Sequence, residues 1–319
     1  MLQNAHAHAK SLGLNTDDRI LSCLPFYHGM TLLTHIFSVL SLDATFVVGQ
    51  DTFPQTISRM IKDFKVSYTS FVPSLLDVII CNFSYDLLDS EHLKKVSIGS
   101  APVLAKQVRY YKEFFINQEV YVTYGQTEAG PRISTLAVNP VSEQLWDTVG
   151  LPLAGTEIRI ANPDKDRVGE LQVKSDWQML GYYGEETDAG IWDEGWLRTG
   201  DLAKLTEQGY IRLCGRKKDL IISGGVNISP AEIEAVLNDI PWVVEAVVVP
   251  APDKKRGEVP HAFVVRDGSG TKQEILSILR NRLDHLKVPK KIHFIDKMPR
   301  NAIGKTDRLS LRPYLNSPN

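Results

Sequence analysis

The chain has 319 residues, 43% of them hydrophobic, and a formal net charge of −2, a size and balance that fit a globular protein large enough for two domains. Such a charge excludes the strongly basic surface of a nucleic-acid binder. The longest apolar stretch, residues 24–42, is interrupted by His28, His35 and several hydroxyl side chains, so it does not read as a membrane span.

At the start, MLQNAHAHAKS has no apolar core and reads as no secretory signal. Its His6 and His8 read as part of a mobile terminus rather than a metal site, because no further ligand lies nearby in sequence. Cys23, Cys81 and Cys214 are far apart and form no CxxC pair. That argues against a disulfide framework or structural zinc and for a reducing, cytoplasmic setting.

From Ala44 to Gly125, short β-branched runs alternate with segments of helical period, the pattern of a parallel sheet with crossover helices. ATFVV, VSYTSFV, KKVSIG and VYVTYG read as strands. Phe53, Ile57, Met60, Ile61 and Phe64 recur at helical spacing, as do Leu104, Val108, Tyr111 and Phe115, and predict two amphipathic helices. After Pro140 the texture changes to short strands between glycine and proline turns: TEIRIA, GELQVKS, WLRTGDLAKL, GYIRLCG and DLIIS. This part predicts a small antiparallel barrel or sandwich.

Beyond Gly225, Ser229-Pro230-Ala231-Glu232 supplies an N-cap, a first-turn proline and a capping-box glutamate, so a helix starts at Pro230. Thr271 with Glu274 opens a second helix, QEILSILRNRLDH, while VVEAVVVPA and HAFVVRD read as strands. Together these make a compact α+β unit. No internal repeat or low-complexity tract occurs.

Two predicted strands end in unusual sequence. Gly99-Ser100-Ala101-Pro102 offers small residues that let a flat ligand approach the backbone, or it is simply a turn. Tyr124-Gly125-Gln126-Thr127-Glu128 places an aromatic face, a glycine, a hydroxyl and a carboxylate within five residues, a set able to hold a purine, a phosphate and a divalent metal. In open α/β sheets the carboxyl ends of strands are where ligands bind, because loops there expose unpaired N–H groups.

YGQTE, GWLRTGD, GYIRLCGRKKDLIISGG and PRNAIGKTDR stand in the order and spacing of the adenylate-forming superfamily of acyl-CoA synthetases, beetle-type luciferases and peptide-synthetase adenylation domains. The chain resembles that superfamily from LPFYHGM at 24–30 to GKTDR at 304–308, and acyl-CoA synthetases most. The resemblance implies an α/β fold. Residues 1–215 would be an incomplete N-terminal AMP-binding domain, with an α/β part over 1–140 and a β-rich part over 141–215. Residues 216–219 would be a hinge, and 220–319 an α+β lid domain.

The resemblance also implies roles. Gly99, Ser100, Ala101 and Gly125 line the nucleotide site, Tyr124 stacks on adenine, Thr127 contacts the α-phosphate and Glu128 helps hold Mg²⁺. Asp201 binds both ribose hydroxyls, or is a bland turn former, and Arg216 also reaches the ribose. Lys218 marks the hinge within a basic run that otherwise reads as a solvated loop. Lys305 bridges the substrate carboxylate and the nucleotide during adenylation. Ser223, Gly224 and Gly225 line the channel for the pantetheine arm of CoA, or form a glycine turn. His28 flanks the acyl pocket, or is a core histidine.

In one respect the resemblance breaks: the glycine-, serine- and threonine-rich phosphate loop ending in Pro-Lys-Gly, which relatives carry shortly before the stretch aligned with MLQNAHAHA, does not occur in these residues. The implied reaction joins a carboxylate to CoA through an acyl-adenylate at the expense of ATP, with adenylation impaired by that absence. Two alternatives stand beside it: an adenylation domain loading a carrier protein, and a catalytically silent fragment that binds adenylate or a partner such as a separate N-terminal half.

Overall fold

The computed structural model describes every residue except 25, 27–28, 50, 83–87, 89–90, 185–189, 301–305 and 317–319. The chain divides into two compact units, Met1–Thr199 with Ala203–Leu213, and Gly200–Leu202 with Cys214–Asn319.

The first unit begins with helix α1 (Leu2–Ser11), strand β1 (Arg19–Ser22) and a helical segment made of α2 (Gly29–Thr31), a π-helical turn (Leu32–Ile36) and α3 (Phe37–Leu42). Then follow β2 (Thr45–Val48), α4 (Pro54–Asp63), β3 (Tyr68–Phe71), α5 (Pro73–Asn82), β4 (Lys95–Ile98), α6 (Ala105–Phe114), β5 (Glu119–Tyr124), β6 (Ser134–Ala137) and β7 (Leu151–Pro152). These strands form one sheet in the order β2-β1-β3-β4-β5-β6-β7. The first five are parallel, and β6 and β7 add antiparallel strands that the sequence did not announce.

Side chains alternate across each strand, so the sheet builds two cores. Phe71, Val96, Ile98 and Val122 pack with Ile57 and Ile61 of α4 and Val108 and Tyr111 of α6. Ile20, Tyr68 and Tyr121 join Ala9 and Leu12 at the end of α1 in a smaller core. α1 is therefore not a mobile terminus: Asn4, Ala5, His8 and Ala9 repeat along one helical face and are buried, while His6 is exposed. The α4 stripe is shorter than its spacing suggests, because Phe53 and Phe64 fall just outside the helix and are exposed.

The β-rich part holds β8 (Glu157–Ala161), β9 (Gly169–Lys174), β10 (Trp192–Asp193), β11 (Trp196–Leu205) and β12 (Ile211–Arg216). They form a second sheet, β10-β11-β9-β8, with β12 beside β11. Leu171, Val173, Leu197, Ala203 and Ile211 make its core.

The remaining elements are β13 (Ile221–Ser223), β14 (Val226–Ile228), α7 (Pro230–Asn238), β15 (Val243–Asp253), β16 (Gly257–Arg266), α8 (Lys272–Arg282) and β17 (Lys291–Phe294). Their sheet runs β14-β13-β16-β15, with β17 on β16. DLIIS is thus a strand of this α+β unit, not of the β-rich part. Ile228, Ile233, Leu237, Val248, Val264 and Leu279 are among its core residues. α8 has the expected capping box, with Thr271 and Glu274 each accepting from the other's backbone N–H. α7 starts at Pro230 but its box does not form: Ser229 Oγ donates to Cys214 O at 2.6 Å, and Glu232 pairs with Lys287. Among the described residues no helix is long and apolar enough to cross a membrane.

Candidate active site

Because β1 to β5 are parallel, their carboxyl ends share one edge of the sheet, where loops expose unpaired backbone groups. β4 ends at Ile98, opposite Val122, so Gly99-Ser100-Ala101 leaves the sheet beside Thr123 and Tyr124. A Cβ on Gly99 would lie 2.5 Å from Thr123 Oγ1, so the adjoining strand already requires glycine there. Ser100 takes a left-handed φ of +68° and its hydroxyl donates to Met30 Sδ at 3.0 Å.

β5 releases Tyr124-Gly125-Gln126 into a single 3-10 turn, Thr127–Ala129, closed by Gly130 at φ +105°. The turn doubles back tightly. A Cβ on Gly125 would sit 1.9 Å from Pro131 O and 2.9 Å from Arg132 Cα. Tyr124 and Glu128 are half-buried and Thr127 is exposed, with Gly29 of α2 close to the Thr127 hydroxyl. Glu128 Oε1 accepts from Tyr182 OH at 2.9 Å, and its backbone oxygen accepts from Met179 N at 2.8 Å. Residues 99–101 and 124–128, singled out separately in the sequence, therefore meet at adjacent strand ends.

Magnesium fits this turn. Glu128 is a hard oxygen donor at the edge of solvent, and Mg²⁺ commonly takes one or two carboxylates with the rest of its shell from phosphate and water. Among the described residues no group of three or more His, Cys, Asp or Glu could hold a metal without such help.

In the second unit Asp201 Oδ1 stands 2.9 Å from Arg216 Nε, with the Asp201 side chain 7% exposed and Arg216 55%. The two residues assigned to the ribose are thus paired with each other. Lys218 is exposed in a one-turn 3-10 helix, Lys217–Asp219. Ser223 pairs with Val226 across the β13–β14 hairpin, and Gly224 and Gly225, at φ +58° and +83°, make its two-residue turn. Positive φ at both positions is what a tight hairpin turn demands. A Cβ on Gly225 would meet nothing within 4 Å.

His28 and Lys305 lie outside the described residues. The residues flanking 301–305 are tied to β15 and to each other. Arg300 bridges to Thr306, Arg300 Nη2 donates to Glu245 Oε2 at 2.7 Å, and Thr306 Oγ1 donates to Glu245 Oε1 at 3.2 Å.

Sequence reading passed over Tyr182, which no local motif marks, and a buried polar group behind the YGQTE turn. Arg132, His8 and His35 are 4%, 0% and 0% exposed. Burial, then Arg132, holds His35 down to about 3, and burial first keeps His8 well below its ordinary value, with Arg132 and His35 adding to it. Burial likewise lowers Arg132 to about 10, which leaves it cationic at neutral pH. Tyr68, pushed up to about 12 mainly by burial and bonded to Ser97, stays neutral and supplies no counter-charge. Among the described residues no carboxylate pairs with Arg132, and its Nε and Nη2 have no hydrogen-bond partner. A buried, uncompensated cation is costly. The available signal was an arginine two residues ahead of β6.

The pattern described as AMP-binding enzyme matches residues 1–183, and that of the AMP-binding enzyme C-terminal domain matches residues 232–305. The 2-succinylbenzoate–CoA ligase of Staphylococcus aureus (strain MRSA252) is 32% identical over 302 residues, 95% of this chain and 60% of that protein. The chain therefore spans about three-fifths of the length of the curated relatives it matches. The o-succinylbenzoate CoA synthetase of Bacillus subtilis, solved with its acyl-adenylate intermediate, superimposes with a TM-score of 0.83 at 31% identity, covering 99% of this chain and 64% of that one. The same synthetase has been solved with ATP and a magnesium ion. The amide bond synthetase McbA of Marinactinospora thermotolerans superimposes with a TM-score of 0.87 at 27% identity, covering 98% of this chain and 64% of that one.

Proposed function

Because the chain belongs to the AMP-binding enzyme family, we propose that it serves ATP-dependent carboxylate activation through an acyl-adenylate, with CoA as acceptor. The observation that supports this best is the meeting of Gly99-Ser100-Ala101 and Tyr124–Glu128 at the carboxyl ends of adjacent parallel strands. In this reading Tyr124 stacks on adenine, Thr127 donates to the α-phosphate, and Asp201, with Arg216 beside it, accepts from both ribose hydroxyls. Together the two hydrogen bonds contribute about 1–3 kcal/mol, since Arg216 already engages part of that carboxylate.

Two half-reactions follow. In the first, a carboxylate oxygen of the acid attacks the α-phosphorus of ATP, the bond to the β,γ-phosphates breaks and pyrophosphate leaves. Lys305 is assigned to neutralising charge as that attack proceeds, and removal of such a donor typically costs about 10²–10³ in rate. Glu128 would help hold Mg²⁺, which would supply further neutralisation of the phosphate charge. In the second, the CoA thiol loses its proton and its sulfur attacks the acyl carbon, releasing AMP. Ser223-Gly224-Gly225 is assigned to the passage of the CoA arm, and residues 216–219 around Lys218 to the hinge between the two arrangements. His28 is assigned to the acyl pocket.

CoA as acceptor is supported by two relatives whose names specify CoA ligation. The fold also serves other acceptors, since McbA is an amide bond synthetase, so a carrier protein or an amine is the second reading. No glycine-rich loop ending in Pro-Lys-Gly occurs in the 319 residues. The part of the reaction assigned to this chain unaided is therefore adenylate binding and thioester formation, with adenylation impaired. Calorimetry with the purified chain tests the assignment: AMP or a non-hydrolysable acyl-adenylate mimic binds more tightly than ATP. Equal or tighter binding of ATP contradicts it.

A further inference from the structure

We infer that Arg132, flanked by His8 and His35, anchors a second carboxylate on the acid substrate, so that the acids preferred at this site are dicarboxylic. The inference rests on the adenylate-forming reading above and names the substrate class for the same site.

Three elements build the group: α1 supplies His8, the π-helical turn supplies His35, and the segment between the YGQTE turn and β6 supplies Arg132. Two of the three are held from elsewhere. Asn4, itself fully buried, donates to Arg132 O at 2.8 Å and accepts from Arg132 N at 3.0 Å. His35 Nε2 bonds Ser70 Oγ at 2.6 Å. Left without a hydrogen-bond partner among the described residues are Arg132 Nε and Nη2, both ring nitrogens of His8, and His35 Nδ1. Buried polar atoms are almost always satisfied, so a cluster of orphaned ones signals a missing occupant.

The donors specify that occupant. Nε–H and Nη2–H lie on the same edge of the guanidinium and form the parallel fork that a carboxylate accepts side-on. A metal ion is disfavoured beside a buried cation. The group also adjoins the proposed reaction centre. The Gly125 backbone is in contact with Pro131 and Arg132, and Gly29, close to Thr127, opens the helical segment that carries His35. Gly29 and His35 are six residue steps apart along the helical segment, a rise on the order of 9 Å. An acid whose reacting carboxylate sits near Thr127 would present its far end to Arg132 across a spacer of several carbons.

The test uses the full chain and two sulfamoyl-adenosine mimics, one carrying a hexanoyl group and one an adipoyl group, with AMP as reference. The adipoyl mimic is expected to bind about tenfold or more tightly than the hexanoyl mimic. Arg132→Gln is expected to erase that difference and leave AMP affinity unchanged. Equal binding of the two mimics by the wild-type chain overturns the inference and assigns the group to water or an inorganic anion. So does a preference that survives Arg132→Gln. The wild-type comparison decides even if the variant does not fold. Failure of AMP and both mimics to bind overturns the adenylate reading itself, and this inference with it.

Discussion

Asp201 has little freedom: its side chain is nearly buried and paired with Arg216, whose own head is half in water. Removing the carboxylate releases Arg216 to solvent and leaves no buried charge, so the fold should tolerate the change. Asp201→Ala is expected to weaken AMP binding by about 1–3 kcal/mol, the cost of two ribose hydroxyls without an ionised acceptor. Lys305→Ala should leave AMP affinity as it is. Calorimetry on both variants checks the pair, and equal effects would refute the division between a binding carboxylate and a catalytic lysine. The buried histidines make a second residue-level prediction. Burial holds His261 down to about 4, helped by His293, Lys291 and Lys290, and His35 lies at about 3. An unfolded histidine takes its proton near about 6.5. The folded chain therefore binds fewer protons below that pH, and the stabilisation by neutral histidine, full above it, is lost as pH falls toward the folded values. The melting temperature should drop through that window, and less steeply in His35→Gln; identical slopes would count against His35 as a contributor. Tyr124, Thr127, Glu128 and Asp201 were legible as candidates, since each sits inside a contiguous motif. Arg132, His8 and His35 were not, because their meeting depends on packing between distant segments.

Strands β2 to β5 and helices α4 and α6 could be read from β-branched runs and helical spacing, since each element's burial repeats along its own sequence. β6, β7, β10 and β14 are short and take their order from neighbours, so nothing local announces them. Ser229 shows the limit of motif reading: it stands at the N-cap position, yet its hydroxyl serves Cys214 O, where a neighbouring strand offers a closer acceptor. Thr271, whose hydroxyl donates within the box itself to Glu274 Oε2 at 3.0 Å, caps as written. Thr271→Ala should therefore cost about 1 kcal/mol of stability through loss of the cap, readable by denaturant unfolding; no loss would mean that the cap is dispensable. The glycines of the two motifs should also behave differently. Gly125→Ala drives a methyl into Pro131 O, 1.9 Å away, and should destabilise the first unit as well as weaken AMP binding. Gly225→Ala meets open space, and only its φ of +83° opposes it. It should cost about 1 kcal/mol of stability and act mainly on CoA use. Thermal melts and CoA kinetics on both variants separate the two effects.

At the scale of the molecule, the two compact units correspond to two separate family patterns, and each has its own sheet and core. That an α/β part precedes an α+β part was legible in the change of texture along the chain. The exact course of the division was not, because Gly200–Leu202 groups with the second unit from within a strand of the β-rich sheet. The proposed chemistry divides by half-reaction. Adenylation needs the β- and γ-phosphates held and expelled, for which these residues offer no glycine-rich cradle. Thioester formation needs the adenylate pocket and a passage for CoA, both assigned to residues that are present. The most direct measurement is single-turnover conversion of a synthetic acyl-adenylate plus CoA to acyl-CoA by the purified 319-residue chain, beside carboxylate-dependent release of pyrophosphate from ATP. Measurable acyl-CoA formation, nearly unchanged in Lys305→Ala, with little pyrophosphate release, is the result expected; rapid ATP-dependent adenylation by the chain alone, or no acyl-CoA from the supplied adenylate, would contradict it.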